Sequence, residues 1–219
     1  MPVFEQVLGA LTAIANPEKA LLMKAYMRDQ FEFLGVPSQP RKEAVRGSLI
    51  RHKLAGGLCW EFIDSCWTDP HRELQYVALD YLDRNKSLLD RSHLGRLKRL
   101  ATKKSWWDTV DALAHIVGEI MLNFPELKPI MVAWSTDENL WVRRIAIEHQ
   151  LSHKLRTDTE LLEKILANNF GVREFFINKA IGWALRDYSK ANARWVSEFI
   201  ERYRTQLAPL SLREGGKYI

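Results

Sequence analysis

Apolar residues recur along the chain at helical spacing, and no stretch carries sustained strand-like alternation. Helix punctuation is frequent. Asn16-Pro17-Glu18 reads as an N-cap with proline at the first helical position, Gly35 as the close of the helix that follows, and Ser38, Asp69-Pro70 and Thr136-Asp137 as further starts. The expected fold class is therefore all-α. Starts at such short intervals imply helix pairs, and an even spacing supports them: Ala44, Ala78, Ala112, Ala146 and Ala180 recur at one constant interval, the length of a helix-pair repeat. Each is followed by an aliphatic residue, in turn Val45, Leu79, Leu113, Ile147 and Ile181. A small residue lets the second helix of each pair approach its neighbour, and the aliphatic next to it fills the space between pairs. This pattern predicts an alpha-solenoid of helix-pair repeats, forming one domain over residues 1–219.

Charge refines the picture. The most apolar stretch, Thr109 to Phe124, contains Asp111, His115 and Glu119, so no membrane span is expected. With 219 residues, 47% hydrophobic and 27% charged, the chain can bury a substantial core. Lys+Arg 32 against Asp+Glu 27 gives a net charge of +5, which favours polyanionic partners without identifying one. Residues 1–15 show no basic leader, and Glu5 interrupts them, so a cytoplasmic location is expected. Cys59 and Cys66 lie roughly 10 Å apart if both are on one helix, beyond disulfide reach, and are expected to be reduced. No CxxC, HExxH, P-loop, GxGxxG or GxSxG motif is present. The W-x-x-L-G-x-x-Y pattern of tetratricopeptide repeats is also absent.

On a helical wheel phased on each repeated alanine, the core lies on the side of its aliphatic neighbour. Trp107, Asp111, Arg144 and Trp183 all fall off that face, and they sit on consecutive second helices. Trp107 and Asp111, at i and i+4, share a helix face, which sets a carboxylate beside a large aromatic surface. Equivalent places in the other repeats hold Glu43, Val77, Ile145 and Lys179, so the fold does not require an acid there. An alternative makes Asp108 an N-cap and Asp111 a first-turn acid favoured by the helix dipole. Arg144, read as exposed, suits a phosphate contact. His115 and His149 share the repeat position of Trp183, but no third ligand in phase supports a metal site. Lys42, Lys103, Lys104, Arg143, Lys179 and Arg186 spread positive charge along the repeats, as a groove that tracks a nucleic-acid backbone needs.

Taken together, Asn16 to Ala20, Phe31 to Gly35, Lys104 to Asp111, Asn139 to Ile147, Glu174 to Tyr188 and Leu207 to Ser211 resemble the bacterial DNA alkylation repair enzymes, the HEAT-like-repeat glycosylases. The resemblance runs across nearly the whole chain. It implies excision of N3- and N7-alkylated purines from duplex DNA, with the concave face of the solenoid on the DNA and the lesion left stacked. By the same resemblance Asp111, Trp107 and Trp183 are the catalytic residues and Arg144 grips a phosphate. Tyr26 approaches the DNA, and Lys104 and Lys179 belong to the basic DNA-binding face. A monomer without metal, cofactor or lyase activity is expected. Two departures bear on DNA positioning: Pro37 stands where relatives often carry a polar residue, and Gly215-Gly216 interrupt the C-terminal helix. Two other functions remain open on the residues themselves, a non-catalytic DNA-binding solenoid and a protein-interaction scaffold.

Overall fold

The computed structural model describes residues 1–53 and 57–219. Its described residues form thirteen α-helices and no strand, with one isolated bridge between Glu32 and His71. None of these helices is long and apolar enough to cross a membrane. They group into two compact units, Met1–Leu88 and Leu89–Ile219.

The first unit holds α1 (Val3–Thr12), α2 (Pro17–Tyr26), α3 (Ser38–Lys53), α4 (Trp60–Thr68) and α5 (Arg72–Arg84). Here α1 packs on α3 and α4, and α5 on α3 and α4, around a core that includes Val7, Leu11, Val45, Phe62, Leu74 and Tyr81. Asn16 caps α2 as its sequence announces, its side chain accepting from Lys19 N at 2.9 Å. Gly35, however, does not close α2, which ends at Tyr26. The glycine is required by tertiary contact: its φ is +80°, and a Cβ would collide with Asn16 O and Ala20 N. Asp69 likewise marks a start only indirectly. Its side chain accepts from His71 N at 2.9 Å, and α5 begins one residue later. Cys59 stands at the N-cap of α4 and Cys66 is buried within it. Both are free, and burial pushes the Cys66 thiol well above its ordinary range.

The second unit holds α6 (Leu94–Ala101), α7 (Trp107–Asn123), α8 (Lys128–Trp134), α9 (Leu140–Glu148), α10 (Thr159–Ala167), α11 (Phe175–Ser189), α12 (Ala193–Tyr203) and α13 (Pro209–Gly215). The five repeated alanines fall on α3, α5, α7, α9 and α11. All five aliphatic neighbours are buried, each worth roughly 1.5–3 kcal/mol, and Ala78, Ala146 and Ala180 are buried with them. The repeat is thus the packing unit of the fold. Within the second unit α6 pairs with α7 and α8 with α9, while α9 packs between α7 and α11. Gly118 permits the close approach of α7 to the end of α9, since a Cβ there would collide with His149 O. Helix α13 stops at Gly215 and a 3-10 turn follows, so the glycines do interrupt the C-terminus. Gly215 also lets α13 press against Leu185 of α11.

Candidate active site

Three helix starts converge on one aromatic cluster. Trp106, the N-cap of α7, has its ring centroid 5.8 Å from Trp141 of α9 and 5.2 Å from Phe176 of α11, and Trp141 and Phe176 are 4.9 Å apart. Asn139 caps α9 through Trp141 N at 2.9 Å. Its predicted start at Thr136-Asp137 is displaced because Asp137 accepts from Asn139 N and turns the chain first. The helix starts that meet here bring the positive ends of their dipoles together.

Asp111 lies one turn into α7 and Arg144 one turn into α9, and the two side chains meet. Arg144 Nε donates to Asp111 Oδ1 at 2.7 Å and Nη2 to Oδ2 at 2.9 Å, a bidentate pair. Arg144 Nη1 donates to the Phe176 carbonyl of α11 at 2.6 Å. The guanidinium therefore ties α7, α9 and α11 together. Burial alone would favour loss of its proton, but the hydrogen bonds to Asp111 and the charges of Glu148 and Asp111 prevail and hold it more firmly cationic. Asp111 keeps 23% of its side chain accessible, whereas that of Arg144 is 1% exposed. The expectation of an exposed Arg144 is thereby corrected. A wheel phased on one alanine ignores the second neighbouring helix, and α9 has α7 and α11 on its two flanks.

The alternative reading of Asp108 as N-cap is not seen, since Trp106 holds that place and the Asp111 carboxylate is committed to Arg144. Trp107 opens α7 and is half-buried. Trp183, also half-buried, lies among three cations: its ring is 5.6 Å from the Arg144 guanidinium carbon, 5.7 Å from Lys179 Nζ and 5.7 Å from the Arg186 guanidinium carbon. Lys179 and Arg186 are held by Glu214 of α13, at 2.8 and 3.0 Å, and these cations lower the Glu214 carboxyl. The Trp183 Nε1 is buried without a hydrogen-bond partner among the described residues.

Asp111, Arg144, Trp183 and Lys179 are thus in one connected cluster, with Trp107 on the Asp111 helix. Lys104 lies in the loop before α7 with φ +50°. Tyr26 ends α2 in the other unit, 71% exposed, and Pro37 is exposed just ahead of α3. Lys42 pairs with Asp80 at 3.5 Å. His115 is exposed, while His149 is buried with Nδ1 on the Ala146 carbonyl at 2.6 Å, and burial lowers it to about 4. No group of three or more His, Cys, Asp or Glu among the described residues is arranged to hold a metal. Glu148 escaped the sequence reading. It stands four residues beyond Arg144 on the same helix face, its Oε1 2.8 Å from Nη2, and an acid directly after the apolar run Ile145-Ala146-Ile147 was the available signal.

Residues 7–219 match the family model described as DNA alkylation repair enzyme. Among solved structures, the chain is similar to a predicted DNA alkylation repair enzyme from Enterococcus faecalis. The two share 36% identity over 94% of this chain and 96% of that one, with a TM-score of 0.85. No curated protein matches.

Proposed function

Because the chain belongs to the DNA alkylation repair enzyme family, we propose that it is a monofunctional DNA glycosylase releasing N3- and N7-alkylated purines from duplex DNA. The observation that carries this reading is the Asp111 carboxylate, fixed through both oxygens on a buried guanidinium yet still partly accessible, with Trp107 on its own helix and Trp183 on its arginine.

The chemistry asks for little more. A purine alkylated at N3 or N7 is cationic and leaves as a neutral base, so no general acid is needed. What needs stabilising is a deoxyribose gaining positive charge. Asp111 supplies a preorganised anion for that charge and an acceptor for the attacking water, and the faces of Trp107 and Trp183 favour a cation beside them. In the resting protein Arg144 serves Asp111 by orienting it, and gripping a phosphate would require it to leave that carboxylate. The phosphate contacts are therefore assigned first to Lys104 and to Lys179 and Arg186, which are paired with Glu214 but keep 26% of their side chains exposed where Arg144 keeps 1%, with the converging helix N-termini adding to the attraction for anions. Tyr26 is assigned a DNA contact from the first unit. The repeat through both units is read as one domain, 1–219, acting on DNA as a monomer in the cytoplasm with no cofactor.

The competing reading is a DNA binder in which Asp111 is only the counter-ion of Arg144, a role the same pairing would serve. Incubation with a duplex carrying one N7-methylguanine tests the choice. Free base, together with a strand that breaks only after alkali, is the expected result and identifies a glycosylase without lyase activity. Salt-sensitive binding with no base released above the protein-free background assigns the chain to the binders.

A further inference from the structure

Glu148 is the charged group that this chemistry leaves without a task. It ends α9, and its side chain is fully buried. Although Oε1 lies 2.8 Å from Arg144 Nη2, the approach is off the N–H direction and neither carboxyl oxygen accepts a hydrogen bond among the described residues; the group within hydrogen-bonding reach of it is the Asp111 carboxylate. The arginine's hydrogen bonds go instead to Asp111 and the Phe176 carbonyl. One guanidinium thus faces two carboxylates and bonds to one. If both were ionised the cluster would bury a net negative charge, which is costly. A proton on Glu148 removes that charge and converts an orphaned acceptor into a donor. Burial, then the Asp111 charge, push Glu148 well above the ordinary carboxylate range against the opposing pull of Arg144.

Charges on the other elements around α9 are engaged elsewhere. On α7, His115 and Glu119 act on His153. Lys98 of α6 pairs with Asp137, Lys128 of α8 with Asp158, Glu163 of α10 with Arg202, and Lys179 and Arg186 of α11 with Glu214.

We propose that Glu148 is a positioning residue for base release: as a neutral carboxyl it braces the Arg144–Asp111 pair from the buried side and leaves Asp111 the one anion offered to the sugar. This rests on the glycosylase reading. When Glu148 ionises, the guanidinium is shared between two carboxylates and Asp111 loses its bidentate hold. Base release then falls on the alkaline side as the Glu148–Asp111 pair loses its shared proton, in the chemical step and not in DNA affinity.

Two measurements test this. The first is a carboxyl ¹³C NMR titration of the whole protein labelled at glutamate, with the Glu148 signal identified by its absence from Glu148→Gln. The second compares single-turnover release of N7-methylguanine by wild type, Glu148→Ala and Glu148→Gln, together with their affinities for the same duplex. The expected Glu148 signal is that of a neutral acid at about pH 7. Glu148→Ala is expected to slow release about tenfold at unchanged affinity, and Glu148→Gln, which cannot ionise, to recover most of that loss and remove the alkaline decline. An ionised Glu148 at neutral pH overturns the proposal, as do equal losses in the two variants or a loss of affinity in place of rate. Absence of release from every protein, wild type included, overturns the glycosylase reading and the positioning role with it. Slow release from Glu148→Gln beside an active wild type overturns the positioning role alone.

Discussion

Glu73 in the first unit and Glu148 in the second are both fully buried carboxyls on second helices of the repeat, and their surroundings differ in kind. Glu73 accepts three backbone N–H groups, from Leu34 at 3.0 Å and from Gly35 and Val36 at 2.8 and 3.0 Å. Next to it, buried Arg72 stacks its guanidinium 3.7 Å from the Phe31 ring centre. These charges fasten the segment before α3 to α5, and the carboxylate's acceptors are used. Glu148 accepts no hydrogen bond from the arginine beside it, because that arginine is turned toward a partly exposed aspartate. A buried charge with all its partners is a fastening. One whose partner is diverted to a surface carboxylate points to a site where polar energy is spent on holding a reactive group.

Substitutions should separate the two cases. Arg144→Met is expected to have the largest effect on stability, about 3–5 kcal/mol by urea denaturation at neutral pH, because it strands the Asp111 carboxylate without its cation and removes the guanidinium that joins α7, α9 and α11. A loss within about 0.5 kcal/mol would mean that the pair is solvated in solution and the site is not preorganised.

Next in size is the acid response of the second unit. His149 titrates near 6.5 when unfolded and at about 4 when folded, so between these values the unfolded state binds the extra proton. Stability is therefore lost as pH falls through that window, by up to about 3 kcal/mol, and His149→Gln should flatten this limb of the pH–stability curve. Glu148 acts with the opposite sign. Its raised folded value contributes stability below the ordinary carboxylate range that is lost as pH rises through the folded value.

The smallest effect makes the sharpest contrast. Glu73→Gln turns an amide N–H toward a backbone N–H and should cost about 1–3 kcal/mol. Glu148→Gln should cost nothing on the alkaline side, and there should stabilise relative to wild type. Equal losses in the two variants would erase the distinction between fastening and site.

The sequence reveals those features whose causes are local. Asn16-Pro17 starts α2 because a side chain three residues away from Lys19 N can cap it unaided. The repeat period survives because each aliphatic after the alanine must be buried for the helices to pack at all. Trp107, Asp111 and Trp183 stand out because they are large or charged on a face the repeat leaves partly open. Features set by distant chain were hidden. Gly35 looks like a helix stop, yet its left-handed conformation answers to Asn16 and Glu73. Asp69 and Asp137 are turn formers that precede their helices by a short step. Arg144 reads as exposed until α7 and α11 are placed on its flanks, and Glu148 reads as one more helix-end charge until the arginine's hydrogen bonds are seen to go elsewhere.

The preorganised Asp111 carboxylate is tested most directly by the single-turnover rate of N7-methylguanine release for wild type and Asp111→Asn, with affinity for the same duplex measured alongside. A loss of about 100-fold or more in rate at nearly unchanged affinity is expected if the carboxylate stabilises the forming cation. Release by Asp111→Asn at the wild-type rate would contradict it, leaving Asp111 as nothing more than the anchor of a buried arginine.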